Sequence, residues 1–274
     1  MKAGVCTIAF KDRSLDEAIE LIAASGAKGL ELWGRSPHLP ASSAERRHLA
    51  ARLRDAGLEI CALGSYYRTD GSRDGGPPLA VPSASERDTE PDYVLEAAHD
   101  LGAPLVRIWP GSEDYERCPV ATREAVVREI RAFGDRARDA GCAVVLERHN
   151  GTLTNGWDSA RAVIAAVDHP SVSLCYQVPY PAPAQELATR VRDDLASLLP
   201  HSRHAHLQNY VEAADGTLPR TLLGEGIVDY RPITAIARES GYGGWAMVEF
   251  VGPVRGARSE AEALAADIEF IESL

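Results

Sequence analysis

The chain has 274 residues, is 45% hydrophobic and carries a formal net charge of −11. That length suits one large domain, and that hydrophobic share supplies a core, so wholesale disorder is excluded. The acidic balance argues against a nucleic-acid partner, and no apolar run reaches the roughly 18 residues of a membrane span. The opening MKAGVCTIAF reads as a strand over 3–9 rather than a signal peptide. Ser14-x-x-Glu17 then starts a helix with a capping box, and Leu15, Ala18, Ile19 and Ile22 form its apolar stripe. "AIELIAASGAKGLELWG" completes a unit of helix, glycine and apolar strand. The unit returns in "LAARLRDAGLEICALG", "VLEAAHDLGAPLVRIWPG", "FGDRARDAGCAVVLERH" and "ITAIARESGYGGWAMVEF". Its glycines, Gly26, Gly57, Gly102, Gly141 and Gly241, sit where a helix ends in a left-handed cap. Ser42-x-x-Glu45 and Ser259-x-x-Glu262 repeat the capping box.

Strands are predicted at about 3–9, 28–33, 58–64, 104–109, 142–148, 171–177, 203–208 and 244–250, with helices between them and a last helix at 259–273. Eight such repeats in this length favour a single-domain (β/α)8 TIM barrel over an open doubly wound sheet. The open sheet usually has a Gly-rich phosphate turn after its first strand, and "AFKDRS" has none. The one long irregular stretch, 68–92, follows strand 3 and reads equally as a solvated insertion or as a cap over the barrel mouth. Cys6, Cys61, Cys118, Cys142 and Cys175 show no CxxC spacing and read as reduced, buried residues of a cytoplasmic protein.

Alternation along the strands decides what faces inward. Val145, Glu147 and His149 share one face of strand 5, opposite Val144, Leu146 and Arg148. By the same rule Glu31 and Trp33, Arg107 and Trp109, Cys175 and Gln177, His204, His206 and Gln208, and Met247 and Glu249 form the corresponding faces. Polar groups therefore converge at one mouth of the barrel. Converging buried carboxylates repel, and a cation relieves them. A divalent ion suits a set of glutamates, a histidine and an amide, with Glu147 as a donor and Mn²⁺, Mg²⁺, Co²⁺, Fe²⁺ or Zn²⁺ all compatible.

"GLELW", "VRIWPG", "LERHNGTLTN", "HAHLQNY" and "LGEGIVDYRPITAIARESGYGGWAMVEF" together resemble the sugar phosphate isomerase/epimerase family, the xylose isomerase-like barrels. These include ketose 3-epimerases, hydroxypyruvate isomerases and inosose dehydratases. The resemblance implies one divalent metal, Mn²⁺ by preference, held by Glu147, Gln177, His206 and Glu249, with Gln177 standing where the family usually has Asp. It implies Glu147 and Glu249 as the acid/base pair that moves a proton beside a carbonyl through an enediolate. His149, Arg107, Glu31, Trp33, Trp109, Tyr180 and Gln208 are the expected substrate contacts, Tyr180 replacing a family His, and His204 supports the site from behind. The expected activity is isomerisation or epimerisation of a sugar or keto-sugar. The alternatives are a lyase or dehydratase acting on a keto-sugar or keto-glycoside, and a sugar-binding barrel without turnover. The related apurinic endonucleases use more His ligands than strands 5 to 8 offer. Relatives often pair through barrel faces, so a homodimer is the default.

Overall fold

The computed structural model describes residues 1–71, 86–178, 183–250 and 259–274. Eight parallel strands close into a barrel in the order β1-β10-β7-β6-β5-β4-β3-β2. They are β1 (Lys2–Cys6), β2 (Gly29–Trp33), β3 (Glu59–Arg68), β4 (Leu105–Trp109), β5 (Ala143–Glu147), β6 (Val172–Gln177), β7 (Ser202–Leu207) and β10 (Trp245–Val248). A short antiparallel ribbon, β8 (Asn209–Tyr210) with β9 (Arg220–Thr221), rises from the end of β7. The helices are α1 (Leu15–Ala24), α2 (Ser43–Asp55), α3 (Pro91–Leu101), α4 (Val120–Asp139), α5 (Trp157–Val167), α6 (Ala184–Leu198), α7 (Ile233–Ser240) and α8 (Glu260–Ser273). Among the described residues no helix is long and apolar enough to cross a membrane.

Local chemistry explains the punctuation. Ser14, Ser42 and Ser259 form complete capping boxes with Glu17, Glu45 and Glu262. All five expected cap glycines have positive φ, and Asp168 takes the same conformation after α5 at φ 40°. The outward strand residues, among them Leu30, Leu32, Val144, Leu146, Leu207 and Val248, join the helices in one large core. Inside the barrel, Cys6, Cys61 and Met247 pack together, and Ala62, Val145 and Cys175 form a neighbouring group. All five cysteines are free and buried. Cysteine here is a small apolar filler.

Two strands differ from expectation. β1 stops at Cys6, and residues Thr7–Phe10 form a 3₁₀ turn. The Thr7 hydroxyl accepts from the Trp33 backbone N–H at 2.8 Å, so a side chain takes the place of the next ladder acceptor. β3 runs on past Gly64 to Arg68 with a register shift against β4, which brings Tyr66 and Arg68 to the mouth. Of the expected cap at 68–92, residues 72–85 lie outside the described part of the structure, as does Tyr180.

Candidate metal centre

Each strand delivers its polar residue by the alternation that packs its neighbours outside. On β5, Leu146 enters the outer core and Glu147 points into the barrel with only 2% exposure. The segment after β5 locks that strand end. Thr154 Oγ1 donates to the Glu147 carbonyl at 2.5 Å, and Thr152 Oγ1 donates to the His149 carbonyl at 2.6 Å. Arg148, on the outer face, spends its guanidinium on the carbonyls of Asn155 (2.7 Å) and Val178 (3.0 Å) and on Asn150 Oδ1 (2.9 Å). On β7, Ala205 and Leu207 pack outward while His204 and His206 are fully buried inside.

Glu147, His206 and Glu249 come together with one donor atom from each inside 4.8 Å of the others. His206 Nδ1 is 3.5 Å from Glu147 Oε1, 3.6 Å from Glu249 Oε1 and 3.4 Å from Gln177 Oε1. The outer oxygen of each glutamate is held by N–H donors. Glu147 Oε2 accepts from Arg107 Nη1 at 2.5 Å and from Trp109 Nε1. Glu249 Oε2 accepts from Gln177 Nε2 at 3.1 Å and from Gln208 Nε2. The Gln177 amide donates outward, which turns its carbonyl oxygen towards His206. Gln208 is itself oriented by the Tyr210 hydroxyl (2.7 Å) and Arg220 Nε (3.2 Å), both donating to its Oε1.

Three oxygens thus face one imidazole nitrogen in a buried site. Oxygen lone pairs gathered there are stable only around a cation, either a proton on Nδ1 or a metal. Glu147 Oε1, Gln177 Oε1, His206 Nδ1 and Glu249 Oε1 make an O3N donor set that could hold a divalent ion, and its hard donors suit Mg²⁺ and Mn²⁺ as well as Zn²⁺.

Electrostatics follow from this packing. Burial pushes Glu147 upwards, but the Arg107 guanidinium and His206 outweigh it and hold the carboxyl well below its usual range. Burial pushes His206 downwards, yet its neighbours Cys175, Cys6, Glu31 and Glu249 lift it well above an ordinary imidazole. The two carboxylates carry that effect, because burial keeps the Cys175 thiol neutral, with its pKa pushed up to about 11, and raises Cys6 as well. Burial lowers Arg107, but Glu147 and Glu31 overcome it and keep the guanidinium charged.

The remaining expected residues form the surroundings of this centre. Glu31 is bound to Arg107, His204 and His206. The Trp33 indole donates to the Tyr66 hydroxyl at 2.9 Å, and Tyr66 meets Trp109 edge-on at 5.1 Å. His149 stacks on Trp109 at 4.6 Å, and its Nδ1 bonds the Asn150 carbonyl at 2.6 Å. Arg35 and Arg68 lie over the Tyr66 and Trp109 rings at 3.7 and 4.4 Å. Tyr66, Arg35 and Arg68 escaped sequence reading. Continuing the alternation of Ala62 and Gly64 past position 64 would have found Tyr66 and Arg68.

The family model described as "Xylose isomerase-like TIM barrel" matches residues 19–274. The chain belongs to that family. The inosose dehydratase of Lacticaseibacillus casei is 27% identical over 139 residues, 46% of this chain and 46% of that protein, so the match spans about half the length of the relative. Among solved structures, the probable 3-DHS dehydratase AsbF of Bacillus anthracis superposes with a TM-score of 0.75 at 22% identity, covering 99% of each chain. A xylose isomerase-like TIM barrel protein from Mycobacterium smegmatis in complex with magnesium gives a TM-score of 0.69 at 21% identity, over 99% of this chain and 95% of that one. At these identities the structural matches speak for the fold.

Proposed function

We propose that this xylose isomerase-like barrel is a divalent-metal-dependent enzyme. It removes a proton beside the carbonyl of a sugar-like keto-polyol and then eliminates water. The observation that carries this reading is the unequal support of its two glutamates. Glu147 is clamped by a guanidinium, whereas the outer oxygen of Glu249 is held by two neutral amides. Protonating Glu147 would leave Arg107 facing one buried carboxylate fewer. Protonating Glu249 costs amide hydrogen bonds and its attraction to His206, but strands no guanidinium. Glu249 is therefore the proton acceptor, and Glu147 is a fixed anion of the centre.

A bound divalent ion supplies Lewis acidity that acidifies the carbon next to the substrate carbonyl. Glu249 takes that proton, and the C–H electron pair becomes the new C=C bond of the enolate. As the β-hydroxyl leaves, the enolate re-forms the carbonyl and the proton held by Glu249 departs with the hydroxyl as water. Epimerisation would need a second base on the opposite face of the same carbon. The only other glutamate in the donor set is the one tied to Arg107. The dehydratase name of the L. casei protein, matched over about half its length, supports the same outcome. In this reading His149, stacked on Trp109, and Gln208, beside Glu249, are the side chains assigned to the polyol hydroxyls.

The test is incubation of the Mn²⁺-loaded protein with cyclic keto-polyols and 3-keto-sugars in deuterated water, read by mass spectrometry. Loss of one water, abolished in Glu249→Gln, supports the reading. Deuterium uptake with an inverted centre and no loss of water gives the epimerase instead. No exchange with any of these substrates refutes proton abstraction.

A further inference from the structure

Glu31 lies on β2, across the barrel from the strands that supply the convergent donors, and its side chain is 3% exposed. Its Oε2 lies 2.8 Å from Nε2 of His204 and 2.8 Å from Nε2 of His206. Its Oε1 accepts from Arg107 Nε at 2.8 Å. An ionised carboxylate only accepts, so both imidazoles carry a proton on Nε2. For His206 this leaves Nδ1 as the atom presented to Glu147, Gln177 and Glu249. Arg107 carries the influence of Glu31 further. Held through Nε, it reaches Glu147 Oε2 with Nη1 at 2.5 Å.

We propose that Glu31 is a positioning residue: it fixes the tautomer and ring orientation of His206, and through Arg107 the rotamer of Glu147, and so sets the metal affinity of the centre. The inference rests on the metal reading above. A second observation points the same way. A Cβ at Gly64 on β3 would press on Glu31 Oε1 and lie 2.8 Å from Arg107 Nη2. The φ of Gly64 is not in the left-handed range, so space, not backbone freedom, calls for glycine there. Glycine leaves the gap that the Glu31–Arg107 pair fills. His204 braces the pair from behind. Its Nε2 bonds Glu31, and its buried Nδ1 has no partner among the described residues.

The experiment uses Zn²⁺, a diamagnetic probe, on the full chain of the wild type, Glu31→Gln and Gly64→Ala. Calorimetry gives the affinity, and long-range ¹⁵N–¹H spectra of the metal-free proteins, recorded at a pH where the ring is neutral, give the His206 tautomer. The expected result is binding weakened roughly 10- to 100-fold in both variants. His206 should be a single Nε2–H form in the wild type and a mixture in the variants. Gly64→Ala changes no charge, so it separates position from electrostatics and carries the test if Glu31→Gln does not fold. Affinities within about twofold of wild type, or weaker binding with an unchanged His206 signature, overturn the proposal. A wild type that takes up no Zn²⁺ overturns the metal reading and the proposal together, whereas variants that match the wild type overturn the proposal alone.

Discussion

Replacing Gln177 with Glu should make the protein less stable without metal and more responsive to it. The Gln177 Nε2 that donates to Glu249 Oε2 at 3.1 Å would become a carboxylate oxygen facing another. Two unit charges at that separation repel by about 5 kcal/mol at an effective dielectric of about 20. Side-chain rotation and sharing of one proton relieve part of this, as in paired carboxylates, leaving roughly 2–3 kcal/mol. For a chain of this size that lowers the melting temperature by roughly 5 °C. With Mn²⁺ the added anion becomes an asset. An affinity gain of about tenfold contributes about 1.4 kcal/mol at saturating metal, by simple linkage. The assay is thermal melting of both proteins in chelator and across a Mn²⁺ series. If Gln177→Glu melts with the wild type in chelator and gains no more from Mn²⁺, Gln177 does not share a cation with Glu249.

Glu147→Gln should cost more than about 100-fold in turnover, because it removes a fixed anion from the centre, and should lower melting in chelator as well, because Arg107 loses one of its two buried carboxylates; steady-state rates on the active substrate and thermal melting check it. Arg107→Met should destabilise the metal-free protein by about 3–5 kcal/mol, since it strands two buried carboxylates. Denaturant unfolding measures this, and Mn²⁺ should restore part of the loss. His206 has a raised folded pKa, so its contribution is fully present below the ordinary imidazole value and is lost as pH rises through the folded one. Melting of the chelated protein should therefore fall on the alkaline side of neutrality, and the Mn²⁺-loaded protein should show a flatter profile there.

The barrel was legible because six of its eight strands break their own apolar run at the same end. Glu31, Arg107, Glu147 and Gln177 are all polar residues on faces that the alternation assigns to the interior, and the structure brings all four into the centre or its direct support. The capping boxes and cap glycines were equally plain, because each is a local device read over four or five residues. Which interior residues touch was not legible. Arg107 joins Glu31 and Glu147 across sequence separations of 76 and 40 residues, and those contacts depend on strand stagger. Arg107, expected among the substrate contacts, bridges Glu31 and Glu147 instead of standing free beside them. The ring nitrogen that His206 turns to the centre depends on the carboxylate behind it, 175 residues away in the chain but within hydrogen-bond distance in space. The strand end at Thr7 was missed because a hydroxyl that substitutes for a ladder acceptor looks like any other strand threonine.

The ring closes where β1 lies between β2 and β10. Glu249, just past β10, therefore meets the other donors only when the last stave docks. During synthesis, a chain grown through β7 already holds Glu31, Arg107, Glu147, Gln177 and His206 but lacks the fourth donor. An ion held by all four donors would then report that the circle is complete, and its loading would be a late checkpoint of assembly rather than its seed.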